Sequence, residues 1–536
     1  MIRLNHRQHV ALDNFINIIV LSILTGLFAG VVVTLYNICA NLGEKYSVEL
    51  YTLISNSPQY IPLLIVGLAA GGIVVGTAVR FVPMIRGSGL PQIEGAARGI
   101  VRFKWYLTMC SMFAASLACV FMGLGAGAEG PSLEIGGCAG SAVATILRRN
   151  QMARRLQIAS GASAGLAVAF NAPITGMVFA LEEAFRSFSP QVFVCAAISV
   201  VVALFTRNTI YTPITGMPVG FAFTTFKFVA VDPLSCLWFA LAAVVVSLVG
   251  IGFYHLVFLT KKLFKRVTFL KGAGKYVIPF TLAGAYGLIT IYSMGGGHSF
   301  IQTLGSSSEN PVSVLGAGLV VSLVIIVVIR TISTVLITGC GLPAGIFIPM
   351  LAIGAGVGAI LSQAFQALGM NPVYSDYLVI ICMAAFFTCV VKAPITGLVM
   401  IFELTGQFVN FLPALMGVAI GYLISFVFRT EPIYERFLNM YIEEEKLYEK
   451  MTRQRFTVEI QPNTRADGEK IRGIVWPTNG LVLEVIHPDG KHMVADGETV
   501  LRAGQQIVFE CETDDEKETC AYLYSIVGHP PKPSKD

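Results

Sequence analysis

The sequence predicts an all-α polytopic membrane domain of two homologous halves with broken helices, followed by a small soluble α+β domain. Three observations predict it: charge is scarce in the first 450 residues, two motifs repeat inside them, and the patterning changes near residue 450.

The chain has 536 residues, 55% hydrophobic and 13% charged, against about 25% charged in an ordinary soluble domain. Residues 451–536 hold 24 of the 69 charged side chains and residues 1–450 the other 45, so the two parts are about 28% and 10% charged. They are built for different solvents. The first part carries 27 basic and 18 acidic groups (+9) and the tail 10 and 14 (−4). A modest positive excess spread over loops fits membrane topology and gives no reason to expect a nucleic-acid partner.

The opening MIRLNHRQHVALDNF sets basic and His residues before an apolar run from about Ile16 to Ala40. That run is too long for a signal-peptide core, which predicts a retained first membrane helix with a cytoplasmic N-terminus. Further apolar runs follow to residue 428, several of them, such as 133–147, 156–170 and 394–404, short of the ~20 residues a full crossing needs. Short, glycine-interrupted segments are tolerated only where they are buried in protein or line a polar cavity, and transporters bind ions at such broken helices.

PSLEIG at 131–136 returns as PMLAIG at 349–354, and APITGMV at 172–178 returns as APITGLV at 393–399, each second motif followed by a glutamate, Glu182 and Glu403. The order is kept and the offsets are 218 and 221 residues. Two homologous halves, about 15–206 and 234–428, are therefore expected within a membrane domain of residues 1–450. Spacing leaves open whether they are parallel or inverted.

Past residue 450, FTVEI, GLVLEVI, HMVAD and QIVFECE read as short strands between turn-rich segments, and DDEKETCAYLYSIV as a closing helix. Residues 451–536 are expected to form a cytosolic α+β domain. The eleven cysteines are scattered without a CxxC pair, which argues for reduced, apolar cysteines and against a metal site or a disulfide framework. Nothing in the sequence calls for a cofactor or an enzyme's catalytic constellation.

Gly87-Ser88-Gly89-Leu90-Pro91 can open a helix and leave amides and a serine hydroxyl facing a cavity. The same grammar recurs in Gly127-Ala128-Glu129-Gly130-Pro131 and in Gly345-Ile346-Phe347-Ile348-Pro349. A helix N-terminus attracts an anion with about half a charge and free amides, without a full cation to trap it. That suits a permeant anion. Glu129, itself an anion among these N-termini, is then both gate and proton carrier, because the transported anion must displace it or wait for its protonation.

Glu182 and Glu183 end the run FALEE and point about 100° apart on a helix, so both cannot face one cavity. One is expected to be structural, with Arg186 as its partner, and the other an entry point for protons. Tyr434 follows the last membrane run and could offer a phenolic donor, and Lys392 reads as a structural or snorkelling side chain.

Together these motifs resemble the CLC family of chloride channels and chloride/proton exchangers over about residues 15–450. GSGLP, GAEGP and GIFIP match its three filter motifs in order. The resemblance implies inverted halves that build one pore per subunit and a homodimer in the plasma or inner membrane. It implies that Ser88, Tyr434 and the amides of Ile346 and Phe347 hold chloride, with Gly87, Gly89, Gly127, Gly130 and Gly345 shaping the filter. Glu129 becomes the external gate and Glu183 the internal proton glutamate. Ser88 resembles the chloride-selective members. Ala128, where a basic residue is usual, and Gln92, where a glutamate is common, are departures that bear on rate and pH dependence. Residues 455–528 resemble the TrkA-C module of regulator-of-conductance domains, which implies a prokaryotic protein and a small-molecule ligand acting on the transporter.

The expected function is chloride/proton antiport. A passive chloride channel on the same fold is the alternative, and fluoride export is disfavoured by Ser88. A ligand-sensing receptor or potassium-uptake component would take the tail as primary, but the membrane part lacks a TVGYG-like carbonyl filter.

Overall fold

The structure is a computed structural model that describes residues 6–184, 190–216, 220, 222–229, 231–266, 272–305, 312–314, 316–407, 411–447, 452–474, 476–477, 480–513 and 516–528. Arg186 and the boundary at residue 450 lie outside them.

The first half contributes α1 (His6–Asn56), α2 (Ile61–Phe81), α3 (Leu90–Ala97), α4 (Trp105–Phe121), α5 (Glu129–Ile146), α6 (Gln151–Phe170), α7 (Pro173–Phe179) and α8 (Pro190–Thr215). The second contributes α9 (Cys236–Arg266), α10 (Val277–Ile289), α11 (His298–Thr303), α12 (Leu319–Cys340), α13 (Phe347–Ala367), α14 (Ser375–Val391), α15 (Pro394–Thr405) and α16 (Phe411–Val427). The two sets match helix for helix, and α17 (Ile433–Glu444) closes the domain. Among the described residues, seven helical segments are long and apolar enough to cross a membrane. The chain is a multi-pass membrane protein.

The first span runs from Ile16 to Asn56, beyond the expected end near Ala40. It continues because Ser47, Tyr51 and Ile54 face the core, while Lys45 and Glu49, one turn apart, share the exposed side. At 41 residues it is about 60 Å long, so it must tilt or protrude.

The short, glycine-rich segments lie inside the protein. α5 is buried from Glu129 to Ala144 and α14 along its whole length. α5 packs on α6 so closely that a Cβ at Gly140 would collide with the Gln157 carbonyl. Small residues at such contacts let membrane helices approach to backbone distance.

A two-fold axis relates the halves. Gly127 and Gly345 form an isolated antiparallel bridge, each amide donating to the other's carbonyl at 2.9 and 2.8 Å. The two glycines are 218 residues apart, the offset of the repeat. The second motif exchanges contacts in the same way. Glu182 accepts from the amides of Ile395 and Thr396 at 3.0 and 2.7 Å, and Glu403 accepts from those of Ile174 and Thr175, both at 2.7 Å. Each carboxylate also accepts from the threonine hydroxyl. When residue i meets j′ and j meets i′, the symmetry is two-fold. The halves are inverted, and each helix α7 or α15 is capped by the glutamate of the other half. The structural member of the Glu182–Glu183 pair is thus Glu182, partnered across the axis. Lys392 also has a structural place: it ends α14 in the left-handed conformation, φ +64°, and its Nζ donates to the Thr430 carbonyl.

The tail is a four-stranded antiparallel sheet of β1 (Thr452–Glu459), β2 (Leu481–Ile486), β3 (His492–Val494) and β4 (Gln506–Thr513), in the order β1-β4-β2-β3, closed by α18 (Glu516–Val527). Arg453 and Arg455 on β1 hold the Glu510 carboxyl of β4 below the usual carboxylate range. The sheet's apolar core, with Val485, Ile507 and Phe509, runs on into the membrane domain through Met152 and Leu156 of α6, Leu181, and Val192 of α8. Arg155 ties the two parts together, donating to the Ala97 carbonyl at the end of α3 (2.9 Å) and to the Trp476 carbonyl of the tail (3.0 Å).

The reciprocal caps predict matched costs. Glu182→Ala and Glu403→Ala should each destabilise by about 1–3 kcal/mol, the scale for losing charge-assisted hydrogen bonds to the part-buried amide and hydroxyl of Thr396 or Thr175. The check is heat-induced loss of monodisperse protein in detergent, where the two variants should fall by similar amounts.

Candidate functional site

Four helices begin at one place in the interior, and none of them is closed by a side-chain cap. They are α3 after Gly89, α5 after Ala128, α13 after Ile346 and α17 after Pro432. The first intrahelical donors are Ile93, Ser132, Met350 and Arg436, so the amides before them have no partner within their helix. Those of Glu129, Gly130, Ile346 and Phe347 are among them. By contrast α6 is capped by the Asn150 side chain.

The loops carrying these starts are bound to one another. Gly87 donates to the Gly341 carbonyl and accepts from Ala344, both at 3.2 Å. The Gly127–Gly345 bridge joins the other two loops. Gly87 and Gly89 have φ of +81° and +75°, a left-handed conformation that favours glycine. A Cβ at Gly130 would lie 2.6 Å from the Ser88 carbonyl oxygen and 3.0 Å from Gly345 Cα. Position 130 must therefore be glycine for the GSGLP, GAEGP and GIFIP loops to meet.

Ser88 lies between the two left-handed glycines and lines a cavity of about 210 Å³ with Arg86, Lys261, Lys265, Tyr441 and Glu444. Glu444 pairs with Arg86 and Lys265, both at 2.8 Å, and Lys261 sits over the Phe437 ring at 5.0 Å. The cavity is a basic approach to the serine.

Glu129 is 4% exposed. Its carboxylate folds back against Gly127, where a Cβ would collide with Oε2. Oε1 lies 3.4 Å from His298 Nε2, and Oε2 has no partner among the described residues. Tyr434, in the first turn of α17, is 1% exposed and within electrostatic reach of both Glu129 and Glu183. Glu183 is 2% exposed, in a π-helical turn, Ala180–Ala184, that follows α7. Such turns are frequent at functional sites. Glu182 in the same turn faces α15, so the pair divides as the helical angle requires.

Two residues that the motifs did not single out also belong to this region. His298 opens α11, the counterpart of α3, after the glycine run Gly295-Gly296-Gly297. That run stands where GSGLP stands in the first half but lacks its proline. Glu134 is fully buried, with neither carboxyl oxygen partnered among the described residues, against Gly89. Its counterpart in PMLAIG is Ala352, so comparing the two copies would have flagged it. Gln92 Nε2 donates to the Arg86 carbonyl at 2.6 Å and helps hold the GSGLP loop.

Converging amides, a hydroxyl and a phenol can strip water from a small anion without binding it permanently, and a carboxylate placed among them competes for the same position.

The model of the voltage gated chloride channel family matches residues 70–426, more than half of the chain. The chain belongs to that family. A TrkA-C domain follows at residues 456–524. Relatives include the H(+)/Cl(-) exchange transporter ClcA of Vibrio cholerae, 29% identical over 445 residues (80% of this chain, 91% of the relative). ClcA of Vibrio vulnificus is 30% identical over 442 residues (81% and 91%). Among solved structures, a slow cyanobacterial Cl-/H+ antiporter superposes with a TM-score of 0.72 at 24% identity, covering 80% of this chain and 99% of that one. A CLC-type fluoride/proton antiporter gives 0.62 at 18% identity (79% and 97%). These likenesses establish the family's fold.

Gly130→Ala offers a direct check of the convergence, because the new Cβ would press on backbone atoms that cannot rotate away. Chloride binding, followed by calorimetry on purified protein, should weaken by at least about tenfold, or roughly 1.4 kcal/mol.

Proposed function

We propose that this protein is a chloride/proton antiporter, a transporter and not an enzyme. The observation that carries the reading is Glu129, a buried carboxylate among four uncapped helix N-termini. The ClcA relatives, named as H(+)/Cl(-) exchange transporters, support it.

In this reading Ser88, Tyr434 and the amides of Ile346 and Phe347 hold the central chloride. Gly87, Gly89, Gly127, Gly130 and Gly345 let the loops approach closely enough to do so. Glu129 gates the outer side and Glu183 receives protons from the inner side, with Tyr434 near both. The basic cavity at Ser88 gathers chloride from the face where α17 leads to the tail. Residues 1–450 form the transport domain and 451–536 a cytosolic regulatory domain whose ligand acts through the Arg155 contacts. The protein functions as a homodimer with a pore in each subunit, in the plasma or inner membrane, with both termini cytoplasmic. A passive channel would not need a second buried carboxylate at Glu183, and Ser88 favours chloride over fluoride.

The test uses sealed liposomes holding the purified protein, a chloride gradient, no pH gradient and a clamped voltage. Chloride should drive protons uphill, and chloride flux with no proton movement would make the protein a channel. Glu129→Gln should remove proton transport while chloride flux continues. Glu183→Gln should lower proton transport by at least about tenfold, equivalent to 1.36 kcal/mol in a barrier, with chloride binding intact. Coupling preserved in Glu183→Gln would return that glutamate to a structural role.

Arg155→Gln, which shortens the link between tail and α3, should change chloride flux less than removing the tail but in the same direction. The check is flux in liposomes for the full chain, the variant and a chain ending before β1.

A further inference from the structure

The polar partner of Glu129 among the described residues is His298, with Nε2 3.4 Å from Oε1. The imidazole is placed with some care by the fold. Gly295 and Gly297 turn the chain at φ +58° and +107°, and the ring then lies against Phe223 with centroids 5.7 Å apart. The His298 side chain is 35% exposed where that of Glu129 is 5% exposed. The histidine is therefore the more exposed member of the pair.

The charged groups around His298 come from three elements: Glu129 on α5, Glu44 on α1 and Arg330 on α12. Glu44 packs against Gly295, where a Cβ would strike its carboxylate. Arg330, buried, donates to the carbonyls of Tyr292, Met294 and Gly296 at 2.7, 3.1 and 3.3 Å and so holds the loop that carries the histidine. With both carboxylates ionised the cluster is one positive charge short, and an imidazolium at position 298 supplies it.

We propose that His298 is the latch of the Glu129 gate, a positioning residue whose imidazolium holds the ionised carboxylate in the closed position. The proposal rests on reading Glu129 as the gate. It also gives this chain a cation beside the gate although Ala128 occupies the usual basic position next to Glu129. The pair holds most firmly where the imidazole is protonated while the carboxylate is still ionised. Removing the cation makes protonation of Glu129 easier, and the gate then opens at a less acid pH.

The experiment measures chloride efflux from liposomes carrying the full-length protein, at equal pH on both sides, between about pH 4 and 9. His298→Gln should move the midpoint of activation toward alkaline pH by about one unit, a tenfold change in proton concentration. His298→Lys, which fixes the charge, should keep the midpoint at or below the wild-type value, and it keeps the test open if the Gln variant does not fold. An unmoved midpoint in His298→Gln, or the same alkaline shift in both variants, overturns the latch. Glu129→Gln separates this from the reading beneath it. A flat pH profile in that variant upholds the gate, and a wild-type profile overturns the gate and the latch together.

Discussion

Lipid cannot satisfy a backbone amide or carbonyl, and the rest of this structure follows from how the broken helices meet that constraint. Their irregular loops find partners in each other. The bridge between Gly127 and Gly345 pairs two loops with the same hydrogen bonds given and received, and Gly87 does the same with Gly341 and Ala344. A loop of one half could not sit at this depth without its counterpart from the other. The inverted repeat thus supplies polar partners to backbone that would otherwise have to be helical.

Once the loops are paired, the helices that leave them point their N-termini inward. What remains without a partner inside its own helix is the set of amides before the first turn of α3, α5, α13 and α17, and under the proposed function these hold the anion. The selectivity is electrostatic and partial. A fixed lysine or arginine among these amides would bind an anion with a full charge and slow its release, and the cations nearby are kept elsewhere. Arg330 is engaged by three carbonyls, and Arg86 and Lys265 share Glu444 at the cavity. Charge gathers anions at the entrance while amides hold them at the centre.

Much of this was legible in the sequence because it is written in local chemistry. Glycine stands close before proline at the starts of α3, α5 and α13, and that shared pattern is visible in the sequence itself. The tail's strands were legible for a similar reason, through alternation and turn residues. What spacing could not reveal was the relation between distant copies. The partner of Glu182 lies more than 200 residues away, on Ile395 and Thr396, where no spacing along the neighbouring turn points. His298 escaped because a single histidine after three glycines carries no periodic signal, and its meaning comes from Glu129 alone. Glu134 sits inside PSLEIG, and only the alanine at the same place in PMLAIG, Ala352, sets it apart.

The tail is legible as a domain but its placement is not, and that placement bears on function. Its core does not end at its own sheet; it includes Met152, Leu156 and Leu181 of the membrane domain. Leu181 immediately precedes Glu182 and Glu183, so the surface that seats the tail is continuous with the turn that carries the inner glutamate. Arg155 makes the second connection, to the last carbonyl of α3. That helix has eight residues, about 12 Å of nearly rigid backbone, and its other end is the turn holding Ser88. A displacement of the tail therefore reaches Ser88 and Glu183, the residues that the proposed function places on the chloride and proton routes, through short, packed elements. A domain attached only by a flexible linker would have neither lever. Coupling of this kind needs an element with two arrangements, and the π-helical turn at Ala180–Ala184 is a local irregularity placed between the tail's seat and the glutamate that it would have to move.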